Sequence, residues 1–119
     1  MSAPTPYHGG CHCGRVRYQV TTDLAPVISC NCSICSRHGI LWTFVRPAQF
    51  SLTAGDNDLT VYRFNKHVIN HLFCRVCGVE SFARGTGPDG VESIAINVRC
   101  LDDIDLASLK LTPFDGRSL

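Results

Sequence analysis

Seven of the eight cysteines in this 119-residue chain fall into three tight clusters. They read Cys11-His12-Cys13-Gly14, Cys30-Asn31-Cys32-Ser33-Ile34-Cys35 and Cys74-Arg75-Val76-Cys77-Gly78, with Cys100 standing alone. Eight cysteines can pair as four disulfides in a small secreted scaffold. The clustering argues against that, because a metal site must gather its thiolates at one point. Residues 1–10 show neither a basic region nor an apolar run of the secretory kind. The expectation is therefore a cytoplasmic, reducing setting, where clustered thiols serve metal or redox chemistry rather than structural disulfides.

Composition narrows the partners. Eleven Lys+Arg against ten Asp+Glu give a net charge of +1 with histidines neutral, and no basic run occurs. A nucleic-acid binder would present a basic stripe, so none is expected as a partner. No apolar stretch approaches the roughly 18 residues that span a bilayer, so no membrane partner is expected either. At 45% hydrophobic and 18% charged residues the chain is apolar enough to fold. Its length suits one domain, residues 1–119, with a core over about residues 8–105.

The pattern along the chain is that of strands. Arg15–Val20 alternates, with Val16, Tyr18 and Val20 on one face, as in a half-buried strand. Val27-Ile28, Ile40–Val45, Phe50–Leu52, Leu59–Phe64, Val68–Phe73, Val79–Arg84 and Glu92–Val98 read as further short strands. Turns fall at Gly55–Asp58, at Asn65-Lys66 and at Gly85–Gly90. Only Leu101–Leu109 reads as a helix, with Asp102, Asp103 and Asp105 in its first turn. The fold class expected is all-β, with antiparallel sheets and one short helix.

The clusters divide by chemistry. Cys74-x-x-Cys77-Gly78 suits a zinc knuckle, in which Gly78 takes the positive φ that other residues resist. Cys11-x-Cys13 can present two thiolates to one side of an extended chain. Joined, Cys11, Cys13, Cys74 and Cys77 make a closed four-thiolate site. Sixty residues separate Cys13 from Cys74, so the metal would clamp the fold rather than build an independent finger. Cys30, Cys32 and Cys35 then remain, and three ligands with an open fourth position mark a catalytic metal. A closed site completed by His38, His67, His71 or Cys100, and metal-free thiols, stand as alternatives. Three thiolates more than neutralise Zn2+, leaving a formal charge of −1 that weakens its Lewis acidity and suits a soft substrate thiol better than a hydrolytic water.

The run Gly10-Cys11-His12-Cys13-Gly14-x-Val16-x-Tyr18, the Cys30–Cys35 cluster and Phe73-Cys74-x-x-Cys77-Gly78 resemble the glutathione-dependent formaldehyde-activating enzyme family. Phe64-Asn65-x-His67, His71-x-Phe73-Cys74 and Cys77-Gly78-Val79-x-Ser81-Phe82 resemble its centromere protein V branch in particular. The resemblance runs from residue 8 to about residue 105. It implies a β-tent fold, structural zinc at Cys11, Cys13, Cys74 and Cys77, and a second, catalytic-type zinc at Cys30, Cys32 and Cys35. It also implies a carbon–sulfur lyase activity: glutathione and formaldehyde combine to S-hydroxymethylglutathione.

Glutathione carries two carboxylates, so cations are expected beside the second cluster. Arg37, His38 and Lys66 are the candidate contacts, with Arg75 and Arg99 as further options. Trp42 and Phe44 follow the cluster and read as core packing, or as the wall of a pocket. His71 shares a strand face with His67, either beside the metal or along an exposed edge. Cys100 reads as a small buried hydrophobe. Two other classes of function stay in view, a zinc-organised binding module without turnover and a thiol–zinc redox sensor.

Overall fold

A computed structural model describes residues 4–63, 69–87 and 90–118. The chain is mostly β, as its pattern demands, and its strands form two sheets. The smaller sheet has the order β1 (Thr5–Gly10), β2 (Arg17–Thr22), β5 (Phe50–Ala54), with both pairings antiparallel. The larger contains β3 (Val27–Cys30), β4 (Leu41–Val45), β6 (Leu59–Tyr62), β7 (Ile69–Cys74), β8 (Glu80–Thr86), β9 (Glu92–Asn97) and β10 (Leu111–Phe114). Its order is β10-β3-β4-β9-β8-β7-β6.

Alternation along β2 places the core. Val16, Tyr18 and Val20 are at most 1% exposed, and they face Phe82, Ile94 and Ile96 of the larger sheet. The rings of Tyr18, Phe50 and Phe82 meet with centroids 4.9–5.9 Å apart. Such aromatic contacts add roughly 0.5–1.5 kcal/mol each beyond the area they bury. The Tyr18 hydroxyl donates to the Ser81 carbonyl at 3.2 Å, so the one polar atom that this ring carries inside is satisfied.

Two expectations are corrected. Leu101–Leu109 is not an α-helix: Leu101 bridges Gly9, Asp103 has φ 58°, and only Leu106–Ser108 closes a 3-10 turn. The reason is local. The Asp105 carboxylate accepts from the Ala107 N–H at 3.2 Å, one of the side-chain-to-backbone bonds with which Asp competes against a helix. Nor is the larger sheet wholly antiparallel. β10, unforeseen in the sequence, runs parallel to β3, with Leu111 opposite Val27 and Phe114 opposite Cys30. Pro113 is tolerated there because β10 is an edge strand.

The short α-helix lies instead in the middle cysteine cluster: α1 spans Ser33–His38. Cys32 is its N-cap, with Sγ accepting from the Cys35 N–H at 3.4 Å, and the left-handed Gly39 ends it. Trp42 and Phe44 stand on β4 immediately beyond. Among the described residues no helix is long and apolar enough to cross a membrane.

Candidate metal centres and the cavity beside them

The first centre forms where two turns meet. Cys11 and Cys13 sit in a turn after β1 rather than in extended chain, which corrects the strand expected there. The turn is closed by the Cys11 N–H on the Val16 carbonyl (3.0 Å) and by the Val16 N–H on Cys11 Sγ (3.3 Å). Cys74 ends β7, and the chain reverses through Gly78, whose φ of 80° gives the positive value expected. The N–H groups of Val76 and Cys77 donate to Cys74 Sγ at 3.4 and 3.5 Å.

The four Sγ atoms of Cys11, Cys13, Cys74 and Cys77 lie within 4.8 Å of one another. Cys13 Sγ is 3.6 Å from both Cys11 Sγ and Cys74 Sγ. A tetrahedron with zinc–sulfur distances of about 2.3 Å requires sulfurs about 3.8 Å apart, so the donor set fits Zn2+. Two of the thiols are disposed to ionise, whereas Cys13, despite the Arg15 N–H, is pushed up to about 11 by desolvation and the neighbouring sulfurs. Cys74 is held below the ordinary thiol range, chiefly by the Cys77 N–H. At Cys77 burial opposes ionisation, but N–H groups and neighbouring sulfurs outweigh it and bring the thiol to about 6.

The second cluster is built by a strand end and a helix start. Cys30 closes β3, Cys32 caps α1 and Cys35 lies in its first turn, and their three sulfurs also lie within 4.8 Å of one another. Among the described residues no other Cys, His, Asp or Glu joins that group. Backbone N–H groups of Cys32 and Cys35 donate to Cys30 Sγ and Cys32 Sγ at 3.5 and 3.4 Å. Burial pushes the Cys35 thiol up against the indole N–H of Trp42, which donates to its sulfur at 3.1 Å. At Cys32 burial works in the same upward sense, yet the Cys35 N–H and neighbouring thiols carry it below the ordinary value. Three soft donors of this kind fit Zn2+ as well.

These sulfurs line a cavity of about 330 Å³ together with Trp42, Phe44, His71, Phe114, Gly116 and Arg117. Trp42 is 4% exposed and Phe44 54%, so one is core and wall at once while the other stands at the rim. A larger depression of about 620 Å³ beside Arg46, Gln49 and Ser93 has neither cysteine nor histidine among its described lining.

The cations expected from sequence are placed as follows. Arg37 is exposed and donates to the Ser33 carbonyl of its own helix at 2.9 Å, outside the cavity lining. His38 turns to Glu80, with Nδ1 3.2 Å from Oε1. Arg75 pairs with Asp58, and Arg99 donates to the Gly39 carbonyl. Lys66 and His67 lie outside the described residues. His71 is buried at 5% exposure, so it does not form an exposed edge. Cys100 is partly buried, and burial pushes its thiol up to about 12.

Sequence reasoning missed Arg117, the one Arg or Lys among the described residues of the cavity lining. It also missed Gly116, Glu80 and the clasp that brings the C-terminal turn over the cluster. Asn31 forms that clasp: its side chain donates to the Asp115 carboxylate and accepts from the Arg117 N–H, each at 2.9 Å. An Asn inside a C-x-C pair, with an Asp-Gly turn 84 residues later, was the signal available.

The comparisons with known proteins agree with this geometry. The family model for glutathione-dependent formaldehyde-activating enzymes matches residues 6–113. A crystal structure of a Rhodobacter sphaeroides protein superposes with a TM-score of 0.77 at 30% sequence identity. The match covers 89% of this chain and 97% of that one. The chain belongs to the glutathione-dependent formaldehyde-activating enzyme family.

Proposed function

We propose that this protein is a zinc-dependent carbon–sulfur lyase-type enzyme, which joins a thiol, glutathione, to a small aldehyde, formaldehyde. The observation that carries the reading is the second cluster. Three sulfurs converge on a cavity large enough for a ligand and supplied with a cation at its mouth. The first cluster, formed where two turns meet, serves as the clamp between β1 and the β7–β8 connection.

Zn2+ held by Cys30, Cys32 and Cys35 would supply a Lewis acid that favours the thiolate form of a bound thiol. The chain's own residues do the rest. Ile28, Trp42, Phe114 and the rim ring of Phe44 wall the cavity with apolar surface and keep water from the reacting carbon. Arg117, exposed beside the thiols, offers a forked donor to a glutathione carboxylate. Its N–H is tied to Asn31, next to Cys30 and Cys32, so the anchor is set at a fixed separation from the cluster.

The test is the rate of S-hydroxymethylglutathione formation from glutathione and 13C-formaldehyde, followed by NMR exchange spectroscopy. The expected result is a rate proportional to protein concentration above the spontaneous reaction, reduced at least tenfold in glutathione affinity for Arg117→Ala. A fully zinc-loaded preparation that adds nothing to the spontaneous rate would refute it.

A further inference from the structure

One buried acid takes no part in that reading. Glu80 is 4% exposed, and a carboxylate is almost never so buried unless it is paired. Its partners are two imidazoles. His71 Nδ1 lies 2.7 Å from Oε2 and His38 Nδ1 lies 3.2 Å from Oε1. The three side chains come from β7, from the start of β8 and from the end of α1, the helix that carries Cys35. Asn97 holds the backbone of the acid, donating to the Glu80 carbonyl at 2.9 Å.

Only one member of this set reaches the cavity. His71 lines it together with Cys30, Cys32 and Cys35, whereas Glu80 and His38 do not. Buried ion pairs contribute little net stability, because desolvation offsets their attraction. A carboxylate–imidazole pair facing a cavity is better explained by chemistry. An ionised Glu80 can only accept hydrogen bonds, so each Nδ1 donates to it. In His71 that fixes the tautomer and leaves Nε2 as the nitrogen that takes up or gives a proton.

We propose that His71 is the proton carrier of the thiol–aldehyde reaction, and that Glu80 is its positioning residue. The proposal rests on the lyase reading above. Nε2 of His71 takes the proton from the thiol S–H. The sulfur electron pair then forms the C–S bond at the carbonyl carbon, and the π pair of C=O moves onto oxygen. The proton on Nε2 passes to that oxygen, giving the S-hydroxymethyl product with His71 neutral again. No oxidant or reductant is consumed. The imidazolium formed midway lies against the Glu80 carboxylate, which stabilises it as it develops. His38 completes the set by occupying the other oxygen of Glu80. Among the described residues the other ionisable groups around His71 are the three cavity cysteines, Arg117 and Tyr62, its register partner on β6.

The test compares the zinc-loaded wild type with His71→Gln and Glu80→Gln, reading kcat, KM for glutathione, zinc content and imidazole 15N shifts. General acid–base groups typically contribute 10²–10⁴-fold. The expected result for His71→Gln is a loss of at least about a hundredfold in kcat. Its KM and two zinc equivalents should be unchanged. In Glu80→Gln, kcat should fall by at least about tenfold, and the 15N shifts should lose the pure Nδ1–H tautomer expected of the wild type. A role in folding alone would leave tautomer and kcat intact once the zinc content is matched. Undiminished kcat in His71→Gln with an active wild type overturns the proton carrier alone. Loss of the second zinc in that variant overturns it in favour of a metal-ligand role. A wild type without a rate above background overturns both the carrier and the lyase reading.

Discussion

A Cβ placed on Gly116 would stand 2.5 Å from Cys30 Sγ, closer than any real side chain approaches a sulfur. The same atom would meet Cys32 Cβ at 3.2 Å. The C-terminal turn therefore lies directly against the second cluster, held there by Asn31 and by the β3–β10 pairing. Gly116→Val is expected to displace either the turn or the thiol. Zinc at the second cluster should weaken at least tenfold, with the melting temperature changed by no more than about 2 °C, because the turn contributes little buried surface. Metal titration alongside thermal unfolding checks this, and unchanged zinc affinity would show that the contact is incidental.

Loss of a ligand should act differently at the two clusters. Cys74 is 1% exposed and ties the end of β7 to the turn after β1, across the long connection from Cys13. Structural zinc contributes its binding energy to folding, about 10–16 kcal/mol in small zinc domains. Cys74→Ser should lower the unfolding free energy by more than about 3 kcal/mol and broaden or abolish the urea transition. Cys32→Ser keeps a side-chain oxygen that can cap α1, so it should change the unfolding free energy by no more than about 1 kcal/mol and abolish activity. Equal losses for the two variants would contradict the division into clamp and reaction site.

Cys100 should be chemically silent. Burial holds its thiol at about 12, so at pH 8 only about one molecule in 10⁴ carries the thiolate. Iodoacetamide at pH 8 is expected to leave Cys100 unmodified in the native zinc-loaded protein and to label it in guanidinium chloride. Peptide mapping by mass spectrometry reads the difference. Labelling of native Cys100 at the rate of a free peptide thiol would contradict the placement.

The Arg17–Asp102 pair supplies a weak, salt-sensitive tie between β2 and the segment after β9. The Arg17 hydrogen bond holds the Asp102 carboxyl below its ordinary 3.8. A depressed acid contributes stability above its unfolded pKa, and that contribution is lost as pH falls through the folded value. Both side chains are at least a third exposed, which limits the effect to about 1 kcal/mol or less. Asp102→Asn should therefore cost a constant amount in that range between pH 5 and 7, shrinking in about 1 M salt. Urea unfolding of the two proteins measures it. A cost above about 2 kcal/mol, or one that grows with salt, would contradict this account.

Much of the architecture was legible because its determinants are local. The Val16, Tyr18, Val20 alternation located the core face, and the cysteine spacing brought both sets of sulfurs together as expected. What escaped depends on register and distance along the chain. His71 and Glu80 meet because the β7–β8 hairpin folds back through a shifted register near Phe73, which no periodicity announces. Arg117 and Gly116 reach the second cluster only through β10, a four-residue edge strand containing Pro113. The misread helix at Leu101–Leu109 followed from counting Asp residues as helix-start signals, when Asp105 instead closes its own turn.

Zinc per chain, measured before and after dialysis against glutathione, separates a structural first cluster from a reactive second one. Two zinc ions are expected, one inert and one weakened by the thiol, with the labile ion absent from Cys32→Ser and the inert one retained. A single zinc ion per chain, unaffected by glutathione and unaltered in Cys32→Ser, would contradict it.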